Sequence, residues 1–94
     1  MKHSDTPIAN PIIALREEFD NWALLFNPDT SSILVINPVG VTVWKMLDGN
    51  NHYEDVLANL REQFSEVPDR AMDDVKAFVT DLEKRGFVGS VIEN

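Results

Sequence analysis

Short apolar runs punctuated by turn residues fill the first third of the chain. Ile12-Ile13-Ala14-Leu15-Arg16 and Trp22-Ala23-Leu24-Leu25-Phe26 are separated by the polar Glu17-Glu18-Phe19-Asp20-Asn21, the pattern of two strands joined by a turn. Asn27-Pro28-Asp29-Thr30-Ser31 supplies the next turn, because proline presets its own φ while Asn, Asp and Ser side chains bond the nearby backbone. A third strand follows as Ser32-Ile33-Leu34-Val35-Ile36. Connections this short predict an antiparallel meander, since a parallel crossover needs a dozen or so residues. Ahead of these strands, residues 1–10 hold Pro7 and several small polar residues without an apolar period. They predict a flexible tail, with the domain spanning residues 11–94.

The period then changes from two to that of a helix. Asn37 can cap an N-terminus and Pro38 can fill the first helical position. Gly40, Val43, Trp44 and Leu47 share one face, and Gly49 after Asp48 predicts the stop. Tyr53, Val56, Leu57, Leu60 and Phe64 repeat the spacing, with Glu54 and Asp55 in the first turn where the helix dipole favours them. A third helix opens at Pro68-Asp69, carries a wide stripe of Ala71, Met72, Val75, Phe78, Val79 and Leu82, and ends at Lys84-Arg85-Gly86. Phe87-Val88-Gly89-Ser90-Val91 fits either a short strand or a docked tail. The predicted fold is α+β, a three-stranded antiparallel β-meander followed by three helices, winged-helix-like in outline.

Length admits one domain: 94 residues bury roughly 60% of their unfolded surface. No apolar run reaches the roughly 20 residues of a membrane span, and Met1 to Pro7 lack the apolar stretch of a signal peptide. A cytoplasmic protein with no membrane partner is expected. The chain has no cysteine, which removes disulfides, thiolate metal sites and cysteine nucleophiles. Sixteen acidic residues against eight basic ones give a formal charge of −8, a field that repels phosphate backbones. Nucleic acid is therefore not expected as a partner.

Catalytic patterns are missing as well. The glycines stand at 40, 49, 86 and 89, none in a phosphate-cradling loop. The histidines are His3, in the tail, and His52, at the start of the second helix, where capping needs no further partner. Asp73 and Asp74 are adjacent, and adjacent helical side chains diverge by about 100°. Neither they nor Glu17-Glu18 supply the alternating oxygen ligands of a calcium loop. The reading is of a non-enzyme without metal or cofactor. A winged-helix DNA reader would need positive charge on its recognition helix, yet the third helix carries Asp69, Asp73, Asp74, Asp81 and Glu83 against Arg70, Lys76, Lys84 and Arg85. An acidic winged-helix adaptor or regulator that binds proteins stays open as the alternative.

Ile33 to Ile36 are apolar without alternation, so both faces of this strand seek cover. An unpaired edge there would attract an added strand, a helix, the tail or a second copy of the chain. Ile36-Asn37, a helix ending in Leu47-Asp48-Gly49, a helix with Val56 and Leu60, and Asp74-Val75 with Phe78 in a third helix follow one another between Pro11 and Gly86. In that order and spacing they resemble the PqqD family and the related peptide-recognition elements of ribosomally made natural products.

The resemblance implies a sheet packed on three helices, with the leader of a precursor peptide added as a strand beside the third strand, in a groove against the third helix. It implies a modifying enzyme as second partner, often a radical S-adenosylmethionine protein, that performs the chemistry. It makes Ile33, Leu34, Val35 and Ile36 the peptide-binding edge, and Met72, Lys76 and Val79 the groove-facing residues of the third helix, with Lys76 pairing an acidic leader residue. Asn37, Asp48 and Gly49 become helix caps and stops. His52 departs from the family pattern, where a threonine cap is usual. Leu15 to Trp22 and Pro38 to Trp44 are also similar to a subgroup known from the SynChlorMet gene cassettes.

Overall fold

The computed structural model describes residues 6–91. In chain order the elements are β1 (Thr6–Ala9), β2 (Ala14–Glu17), β3 (Ala23–Asn27), β4 (Ser32–Ile36), α1 (Pro38–Lys45), α2 (Tyr53–Gln63), α3 (Ala71–Lys84) and β5 (Val88–Val91). The three expected strands are β2, β3 and β4, an antiparallel sheet in that order with Leu25 opposite both Leu15 and Leu34. Alternation sends Ala23, Leu25, Leu34 and Ile36 to the helix side. There Ala23 and Leu25 lose all exposure and join Val43, Val56, Leu60, Val75, Val79 and Leu82 in the core. The opposite face stays bare: Phe26, Val35 and Ile33 are 38%, 58% and 61% exposed.

Several of the helix boundaries have a local cause. At α1 the Asn37 Oδ1 accepts the Gly40 N–H at 2.8 Å, with Pro38 at the first helical position. The helix stops at Lys45, short of the expected end at Leu47-Asp48. Gly49 has a left-handed φ of 84° but serves another purpose, turning the loop so that its N–H donates to the Pro7 carbonyl at 3.1 Å. At α2 the Asp55 carboxylate accepts the His52 N–H at 2.9 Å, one half of a capping box. The α3 helix begins at Ala71 rather than at Pro68, whose carbonyl closes a turn with the Ala71 N–H at 3.0 Å. Its end is the expected one. Gly86, at φ 81°, lets the Phe87 N–H reach the Leu82 carbonyl at 2.9 Å, a closure that returns the chain onto the core.

The expected tail needs correction from Thr6 onward; residues 1–5, His3 among them, lie outside the described residues. Thr6–Ala9 pairs antiparallel with Val88–Val91, so the open question over residues 87–91 is answered by a strand. Pro7 does not interrupt this ladder. Its carbonyl faces Gly49, and a residue's N and C=O point to the same side of a strand, so the missing N–H falls on the side away from β5. The Ala9 N–H donates to the Leu47 carbonyl at 2.7 Å and the Asn10 N–H to the Phe87 carbonyl at 2.9 Å. The segment was illegible as a strand because backbone bonds, rather than an apolar period, hold it.

Candidate functional site: an open strand edge beside a helix

The sheet has two edges, and they differ. On β2 the outward edge carries Arg16 and Glu17, and Lys45 reaches across from α1 to Glu17 at 3.0 Å. Charge of this kind blunts an edge against pairing. On β4 the edge residues are apolar, with Ile33 and Val35 more than half exposed.

Which backbone groups β4 offers follows from the register. The Trp22 carbonyl accepts the Glu18 N–H at 2.7 Å, which aims Trp22 at the β2 side. By alternation Leu24 and Phe26 also face β2, whereas Ala23, Leu25 and Asn27 face β4. Their partners Ile36, Leu34 and Ser32 therefore spend their backbone groups inside the sheet. Ile33 and Val35 aim their N–H and C=O groups at the open edge. An incoming strand meets these donors and acceptors first.

Beside this edge runs a groove of about 360 Å³. Leu34 to Asn37 form one wall, Val39, Gly40 and Val43 of α1 the floor, and Asp74, Val75, Phe78 and Asp81 of α3 the other wall. Val39, Asp74 and Val75 also border an adjoining apolar hollow of about 160 Å³ between α2 and α3, lined by Leu60, Phe64, Val67, Pro68 and Ala71. Gly40 sets the closeness of the floor: a Cβ there would lie 3.1 Å from the Ile36 Cβ and 3.3 Å from the Phe78 ring. A larger hollow of about 420 Å³, between β2, α1 and α2, is about as polar as it is apolar and is crossed by the Lys45–Glu17 pair. It contains no unpaired apolar strand. Among the described residues no three metal-ligating side chains converge, and no helix is long and apolar enough to cross a membrane.

The residues singled out from sequence fall into two groups. Leu34, Val35 and Ile36 line the groove, and Ile33 lies on the same strand edge with its side chain on the bare face. The α3 residues are placed otherwise. Val79 has no exposure and belongs to the core, Met72 is half-buried outside the groove lining, and Lys76 lies over the Tyr53 ring at 5.7 Å, toward α2. At about 100° per residue, Asp74, Phe78 and Asp81 share the flank facing β4 while Met72 and Lys76 occupy the opposite one. The buried stripe of Ala71, Val75, Val79 and Leu82 runs between the two flanks. Composition is nearly symmetric about that stripe, so the sequence alone does not say which flank meets β4. Phe78 was the available signal, the only aromatic residue on the helix.

A small α+β domain with an unpaired apolar edge strand bordering a helix-walled groove is thus the class that fold and site define. Within that class, the chain belongs to the PqqD family: residues 23–88 match the family described as Coenzyme PQQ synthesis protein D (PqqD). Among solved structures, TbiB1 in complex with the TbiA(beta) leader peptide is similar with a TM-score of 0.72 at 15% identity, covering 86% of this chain and 93% of that one. The heterocyclase TruD is similar with a TM-score of 0.64 at 14% identity. That match covers 93% of this chain but 12% of TruD. At these identities the likeness is one of fold. A search of curated protein sequences finds no significant match.

Proposed function

We propose that this protein is a non-enzymatic peptide chaperone, which takes the leader of a ribosomally synthesised precursor peptide as an added strand beside β4 and presents it to a modifying enzyme. The observation that carries this reading is the open β4 edge, with the backbone groups of Ile33 and Val35 facing outward next to the groove under α3. Main-chain hydrogen bonds to that edge supply register, and alternate peptide side chains enter the groove. Affinity comes from apolar burial at about 25 cal/mol per Å², reduced by the cost of ordering a flexible peptide. The likeness to TbiB1, solved with a leader peptide, and to TruD, a heterocyclase, supports this reading. In the same reading the partner enzyme is a radical S-adenosylmethionine protein, the chain works in the cytoplasm, and Ile33, Leu34, Val35 and Ile36 hold the peptide.

An NMR titration of the labelled protein with the leader peptides encoded beside its gene tests the proposal. The expected result is a set of shifts concentrated on the amides of residues 33–36 and along Asp74, Phe78 and Asp81. Saturable binding that leaves β4 unmoved sinks it.

A further inference from the structure

The groove has a sign as well as a shape. Asp74 and Asp81 stand on its α3 wall with Phe78 between them, and among the described residues lining it there is no cation. The nearest basic partners are Arg70, 3.4 Å from Asp74, and Arg85, 2.9 Å from Asp81, both largely exposed i,i+4 pairs. Such pairs hold their carboxylates weakly, and each engages one oxygen, leaving the other for a ligand. Lys76, expected from the resemblance to pair an acidic leader residue, lies outside the groove lining and over the Tyr53 ring at 5.7 Å.

Resting on the peptide-chaperone reading, we propose that the strand accepted beside β4 is basic, with Lys or Arg placed on either side of an apolar residue on its groove-facing positions. Spacing supports the pattern. Asp74 and Asp81 are seven residues apart, about 10.5 Å along a helix. Groove-facing residues of a strand recur every about 6.7 Å, so basic residues two positions before and two after the apolar one lie about 13 Å apart. Each long side chain makes up the small difference. The central apolar residue packs on Phe78 and Leu34, which the groove places on facing walls. The overall charge of −8 adds long-range attraction of the same sign.

Three blocked synthetic peptides test this: Ser-Lys-Val-Leu-Val-Lys-Ser, and the same sequence with both lysines replaced by glutamine or by glutamate. Binding is followed by shifts of the amides of residues 33–36. The lysine peptide is expected to bind about tenfold more tightly than the glutamate peptide, with glutamine between, and the spread to shrink as salt is raised. The Asp74→Asn/Asp81→Asn double variant should collapse the ranking, and Asp74→Lys/Asp81→Lys should invert it. Folding of both variants is checked from their amide spectra. Equal affinities for the three peptides overturn the charge inference and leave strand addition standing. Failure of all three to move residues 33–36 overturns both.

Discussion

Gly40 is the residue on which the floor of the groove depends. In most helices a Gly→Ala change adds about 1 kcal/mol of stability, but here the new Cβ would crowd the Ile36 Cβ at 3.1 Å and the Phe78 ring at 3.3 Å. Ile36 is 3% exposed and held by β3, so it cannot yield cheaply. Overpacking costs about 1–3 kcal/mol, and we expect Gly40→Ala to lower stability in urea by about 1 kcal/mol net of the propensity gain. A more stable variant would show that the floor tolerates a methyl group. Gly40 was legible as part of the inward face of α1, yet nothing in its neighbours along the chain announces Phe78. The same limit explains the α3 flank. Lys76 and Asp74 are equally plausible wall residues until β4 is placed beside one of them, because that choice is a matter of packing between elements distant in sequence.

At the scale of elements, β4 divides its residues between two tasks. Leu34 bonds to Leu25 within the sheet, whereas Val35 points its N–H to the open edge. Proline is tolerated at an edge position whose N–H faces outward and not at one that serves the ladder. Val35→Pro should therefore keep the fold and weaken peptide binding by about 1 kcal/mol or more, roughly fivefold to tenfold. Leu34→Pro should unfold the sheet. Circular dichroism with a binding titration distinguishes the two, and a Val35→Pro protein that binds normally would remove β4 as the docking edge. The meander was legible because short apolar runs such as Trp22 to Phe26 are bounded by turn residues, and the helix faces because a period of 3.6 is written directly in Tyr53 to Leu60. The unpaired state of β4 was not, since runs of apolar residues look alike at the edge and at the centre of a sheet.

For the whole molecule, β1 and β5 form a second sheet that fastens the N-terminal segment to the end of α3. Thr6 is 4% exposed and Pro7 is fully buried, and the Asn10 side chain donates to the Gly86 carbonyl at 3.1 Å. Removing residues 1–10 should consequently cost several kcal/mol, a large part of the roughly 5–15 kcal/mol by which native domains are stable. A lowered thermal midpoint would show it; an unchanged one would make β1 dispensable. Sequence pattern assigned this stretch to a tail because four residues with a proline carry no period of their own. The pairing also has a geometric result. Since Thr6 stands opposite Val91 and no residue of either strand lines the groove, a polypeptide can enter and leave this fold at one place without passing through the groove. A unit of that shape is portable: it can be spliced into a longer chain through a single seam, with its open strand still turned outward.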